Sequence, residues 1–190
     1  VWSVVAQHKD LQNNPGIMFE LANEPVRIVG RDGSSTLSRD EQFKDITSYF
    51  QTIADAMRAK GANNILWIPG LGYQAEYRGF AKYPVTGDNI GYAVHVYPGW
   101  FNSGSGYEAF QRGWDEQVKP TADFAPIMIT EMDWAPAKYN SSWGKAETGV
   151  LGGDGFGANF KYITDNSGNA SWLLFTGPNL LADFKHIPGI

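Results

Sequence analysis

The 190-residue sequence sets 15 Lys and Arg against 20 Asp and Glu, a net charge of −5, so it offers no basic face to neutralise nucleic-acid phosphates. It contains no cysteine, which excludes disulfides, thiol nucleophiles and thiolate metal sites, and no apolar run near the ~18 residues of a membrane span. Seven Trp and nine Tyr beside 22 Gly supply a packed core and leave flat amphipathic rings to spare.

The first stretch, 1–11, reads as an amphipathic helix with Val1, Val4, Val5 and Leu11 on one stripe and Gln7, Lys9 and Asp10 turned away. It lacks an initial Met, a capping residue and a signal-peptide pattern. The final residues, 186–190, follow a strand-like run without a closing element, so the sequence predicts a larger fold reaching past both ends. A strand is predicted over 16–21. The clearest helix covers 38–60, with a stripe of Phe43, Ile46, Tyr49 or Phe50, Ile53 and Ala56 or Met57, and Gly61 ends it. A strand follows over 64–69. Gly and Pro break the segment 71–89, which predicts no full helix there. Next come a strand over 90–97, a helix over 107–118, a strand over 126–131, a helix over 156–165 and a strand over 171–175.

Most of the five strand runs are apolar on both faces, as in a parallel sheet covered by helices. Strand and helix alternation makes the fold class α/β. Eight units at this spacing would exceed the ~250 residues typical of a closed eight-fold barrel. The chain therefore carries about five-eighths of such a barrel, or an open sheet. No repeat, low-complexity tract or linker divides it, so 1–190 reads as one domain.

Polar residues cluster where the strands end. The first run finishes Glu20-Leu21-Ala22-Asn23-Glu24-Pro25, the third His95-Val96-Tyr97, the fourth Thr130-Glu131, and the fifth contains Ser171-Trp172. A carboxylate at the end of an apolar strand is costly to bury unless hydrogen-bonded or functional, and parallel sheets bind ligands at these ends. Glu24 and Glu131 are thus candidates to meet across one crevice.

This ordered set resembles glycoside hydrolase family 5, retaining endo-β-glycanases on (β/α)8 barrels typified by cellulases. The resemblance implies a partial (β/α)8 TIM barrel of about five parallel strands and three to four helices, not closed within one chain. It further implies Glu24 as acid/base, Glu131 as nucleophile and Asn23 as a sugar contact beside the scissile bond. His95 and Tyr97 would support Glu131, and Trp172 would be a stacking floor. The implied reaction is endo-acting cleavage of β-1,4-glucan of the cellulose type, without cofactor or metal. Mixed-linkage glucan, xylan and mannan are alternatives, as is a weakly active or non-catalytic polysaccharide-binding fragment. A polymeric substrate implies a secreted or cell-surface protein. The Arg and His that the family carries on earlier strands have no counterpart before Gly16.

Other residues divide between site and scaffold. Trp100, Trp134, Trp143 and Tyr73 lie at or after strand ends, where sugar rings would stack. Strand alternation places Met18, Glu20, Ala22 and Glu24 on one face, so Glu20 reads as a buried structural carboxylate needing a cationic partner, possibly one outside this chain. Asp133 reads equally as a subsite or loop residue. Trp2, Trp67 and Trp114 read as packing, and His8 and His186 as surface residues. The run 153–158 fits G-x-G-x-x-A but follows no strand, so it reads as a loop entering a helix. An open five-stranded sheet has two unpaired edges, and if the chain is complete as given they predict a homodimer or higher oligomer.

Overall fold

A computed structural model describes residues 1–30, 32–97, 100–103, 107–132, 149–150 and 154–173. Four of the predicted strand positions hold β1 (Phe19–Glu20), β2 (Leu66–Pro69), β3 (Ile90–Val96) and β4 (Ile127–Met132). A two-residue hairpin, β5 (Gly149–Val150) with β6 (Asp154–Gly155), precedes β7 (Ala170–Trp172). The main sheet runs β1-β2-β3-β4-β7, every neighbouring pair parallel. Among the described residues it does not close, and β1 and β7 form its edges. No helix among them is long and apolar enough to cross a membrane.

Helix α2 (Arg39–Arg58) follows the sequence closely because its start is doubly fixed. Ser38 accepts from the Glu41 N–H, and Glu41 returns a carboxylate to the Ser38 N–H, a capping box with acidic residues at the positive end of the helix dipole. Its inner face is Phe43, Ile46, Phe50, Ala54 and Met57, all buried, whereas Tyr49 points outward. These side chains pack against Leu66, Ile68, Tyr92 and Val94 of the sheet. α4 (Tyr107–Gln117), the single turn α5 (Lys119–Ala122) and α6 (Phe156–Asn166) follow. Buried Trp114 joins α4 to the end of α6 by donating its indole N–H to Ser167 Oγ at 3.0 Å. Trp67 is likewise buried, Trp2 packs against the core, and His8 is exposed.

Two expectations shorten. The helix over 1–11 reduces to α1 (Trp2–Val5). No side chain caps its start, and the His8 ring accepts the Asp10 N–H, competing with backbone bonding. Its inner face is Trp2, Val5 and Ala6, while Val1 and Val4 are exposed. The strand over 16–21 reduces to two residues. Asn64 Nδ2 donates to the carbonyls of Leu11, Asn14 and Ile17, so a side chain satisfies backbone upstream of the ladder.

The 71–89 segment holds no full helix, as its sequence predicts. α3 (Leu71–Gln74) is a single turn whose Gly72, Tyr73 and Gln74 have φ of 58°, 60° and 58°. A 3-10 turn covers Arg78–Ala81.

One irregularity positions the site. Val94 pairs with Ile129, but His95 pairs with Glu131, so Thr130 is an extra residue in β4. Strict alternation would send Thr130 and Glu131 to opposite faces. The bulge lets both reach the same surroundings: Thr130 Oγ1 donates to Glu20 Oε1 at 3.2 Å, while Glu131 Oε2 lies 3.4 Å from His95 Nδ1.

Candidate active site

Four side chains converge at the carboxyl ends of β1, β3 and β4. Glu24 lies four residues beyond β1, on backbone with φ of 47°. Its Oε1 is 2.9 Å from His95 Nδ1. The nearest donor-type atoms of Glu24, His95 and Glu131 all fall within 4.8 Å of one another. Tyr97, just past β3, donates its hydroxyl to Glu131 Oε2 at 2.5 Å.

His95 is the hub. Its side chain is 1% exposed, against 31% for Glu24 and 17% for Glu131. Its second nitrogen, Nε2, faces Glu20 Oε1 at 3.7 Å, an ion-pair distance beyond hydrogen-bond reach. Burial disfavours the imidazolium, but the surrounding carboxylates of Glu20, Glu24 and Glu131 outweigh it and hold the His95 pKa above its usual value. For Glu20, burial pushes upward, while His95, Gln74 and Thr130 together draw its carboxyl below the usual range. When protonated, His95 supplies Glu20 with a cationic partner inside this chain. The sequence hid this pairing because it crosses from one strand to another.

The carboxylates open onto a cleft of about 480 Å³ lined by Glu24, Tyr73, Tyr97, Trp100 and Glu131. Tyr73 and Trp100 lie nearly parallel, 6.3 Å apart at 24°, and Tyr97 meets Trp100 edge-on at 5.9 Å. Flat rings beside carboxylates suit a ligand with apolar faces and polar edges. Asn23 is exposed on the loop before Glu24. Trp172 stands apart from the cleft lining: it pairs in register with Ile129, tilts against Phe160 at 5.9 Å and is half-exposed. Trp134, Trp143, Asp133 and His186 lie outside the described residues, as does 174–175 of the last predicted strand.

Two carboxylates and an imidazole are also donors of the type that bind divalent cations. Here the same atoms are engaged with each other and with Tyr97.

The five parallel strands with their helices, not closed among the described residues, are a partial (β/α)8 barrel, the fold of the solved structures they match. Residues 1–172 match the profile of Cellulase (glycosyl hydrolase family 5), and the chain belongs to that family. An endoglucanase from Bacillus sp. (strain KSM-635) is 28% identical over 174 residues, covering 88% of this chain and 17% of that protein. The β-glucanase SdGluc5_26A of Saccharophagus degradans, solved in complex with cellotetraose, has a TM-score of 0.71 at 21% identity, over 99% of this chain and 54% of its own. The catalytic domain of endoglucanase Cel5A (E5) from Thermobifida fusca gives a TM-score of 0.57 at 17% identity, over 93% and 49% respectively. The chain thus spans about half the length of these solved relatives.

Proposed function

We propose that residues 1–190 act as one catalytic unit, a retaining endo-β-1,4-glucanase working by double displacement. The observation that carries this reading is the approach of Glu24 and Glu131, with ligand-type atoms within 4.8 Å. Retaining enzymes hold their two carboxyl groups roughly 5–5.5 Å apart, whereas inverting ones leave room for a water at roughly 6.5–9.5 Å.

Glu131 attacks the anomeric carbon while protonated Glu24 donates its hydrogen to the glycosidic oxygen. The carbon–oxygen bond to the leaving sugar breaks, and a glycosyl ester on Glu131 forms. Esterification removes the Glu131 charge, which favours ionised Glu24. Glu24 then takes a proton from water, the water oxygen bonds to the anomeric carbon, and Glu131 leaves as carboxylate. Tyr97 fixes the Glu131 oxygen it bonds. Tyr73 and Trp100 stack on sugar faces, and Asn23 contacts the sugar beside the scissile bond. Trp134, Trp143 and Trp172 extend the subsites.

Cellulose-type glucan is the proposed substrate; the cellotetraose bound by the Saccharophagus relative supports it. Carboxymethyl cellulose should lose viscosity early while reducing ends accumulate slowly, the signature of internal cleavage. Calorimetric binding of cellotetraose with no new reducing ends would instead make the chain a sugar-binding remnant. A polymer too large to import places the protein outside the cell. If the chain is complete as given, a second copy covers the edges at β1 and β7, so light scattering at micromolar concentration should give at least a dimer mass; a monodisperse monomer overturns that part.

A further inference from the structure

Gln74 has no counterpart among the strand-end motifs, yet the Glu24 backbone is tied to it. Its side chain is fully buried. Oε1 accepts the Glu24 N–H at 2.6 Å, while Nε2 donates to Glu20 Oε1 at 2.8 Å and to the Ala93 carbonyl at 3.1 Å. Only one orientation of the amide satisfies all three: turned over, it would set oxygen against a carboxylate and a carbonyl, and NH₂ against an N–H. Gln is also neutral, so it adds no charge to a centre already holding three carboxylates.

The backbone at both ends of this bond is left-handed, at φ of 47° for Glu24 and 58° for Gln74. Such backbone is unfavourable for residues that carry a Cβ and persists only where the surroundings over-determine it. Here it is so determined. Gly72 and Tyr73 donate their N–H groups to the Val26 and Pro25 carbonyls at 3.1 and 3.2 Å. Arg39 grips both oxygens of Glu76 at 2.6 Å. A Cβ on Gly72 would lie 2.5 Å from Glu76 Oε1, so a larger residue there would have to shift the carboxylate that Arg39 holds. The turn thereby sends Tyr73 to the cleft and Gln74 inward to Glu24.

We propose that Gln74 is a positioning residue that holds the Glu24 backbone in the left-handed conformation from which its carboxyl reaches the leaving-group oxygen. The inference rests on the acid/base reading of Glu24. It acts on proton delivery and leaves sugar binding alone. A misplacement of about 1 Å in a reacting group can lower the rate on the order of 10²-fold.

The test compares wild type, Gln74→Met, Glu24→Gln and the double variant by kcat/KM on phenyl and 2,4-dinitrophenyl β-cellobiosides. The dinitrophenolate leaves without protonation, so only the phenyl substrate needs the acid in the first step. Glu24→Gln should lose far more on phenyl than on dinitrophenyl; equal losses overturn the acid/base reading and this proposal with it. Given that pattern, Gln74→Met should repeat it at about 10–100-fold on phenyl, bind cellotetraose as wild type does, and add less than about twofold in the Glu24→Gln background. Equal losses on both substrates, or an undiminished loss in that background, overturn the role of Gln74 alone. Should Gln74→Met not fold, Gln74→Glu keeps the size and the acceptor for the Glu24 N–H. Its activity relative to wild type should rise as pH falls, because only the protonated form of the introduced carboxyl can donate to Glu20 or Ala93. A ratio independent of pH overturns the proposal.

Discussion

Glu131→Gln is expected to lower hydrolysis of cello-oligosaccharides on the order of 10⁴-fold or more, as loss of a covalent nucleophile does. An amide cannot form the glycosyl ester, and among the described residues the remaining carboxylate on the cleft is Glu24, the proposed acid/base. The amide keeps the size of the carboxyl, and its oxygen can still accept from the Tyr97 hydroxyl. The fold should therefore persist, with cellotetraose still bound. Timed reducing-end release on matched, folded samples checks this. A variant within tenfold of wild type would remove Glu131 from the bond-forming step.

His95→Leu should have the largest effect on stability. Removing the hub leaves Glu20, Glu24 and Glu131 facing each other without a cation. Breaking a fully buried charge pair costs about 3–5 kcal/mol; these carboxylates are partly open to water, so about 2–3 kcal/mol is expected near pH 5.5. The pH dependence has a definite sign. The raised His95 pKa contributes stability that is complete below its unfolded value near ~6.5 and is lost as pH rises through the folded value. The lowered Glu20 pKa contributes above its unfolded value near ~4.3 and is lost as pH falls through the folded one. The difference between wild type and variant should thus be greatest between about pH 4.5 and 6.5 and shrink towards pH 9. Urea unfolding at three pH values measures it, and a gap that widens from pH 6 to 9 contradicts the pairing.

What the sequence makes legible follows from local chemistry. The apolar runs mark β2 and β3 because both of their faces are buried, and Ser38 with Glu41 marks the start of α2 by its capping geometry. Glu24, His95, Tyr97 and Glu131 stand out because polar groups at the ends of apolar strands need a reason. Features that depend on tertiary register stay hidden. No residue type announces that Thr130 is extra in β4, and alternation alone gives the wrong parity beyond it. Gln74 lies in a stretch where Gly and Pro suggest only a loop, and its left-handed φ is unusual for a side-chain-bearing residue. Strand alternation likewise aligned Glu20 with Glu24, yet the strand stops at Glu20 and a turn delivers Glu24.

The bulge in β4 leaves that strand one position at which its length can change. Exchanging Thr130 for another side chain loses one contact to Glu20. Deleting Thr130 would lose the same contact and remove the surplus residue, and plain alternation would still send Glu131 away from the helix-covered layer where Ile129 packs. A one-codon deletion at that position would therefore cost the Thr130 contact to Glu20 while leaving both carboxylates of the pair on one side of the sheet.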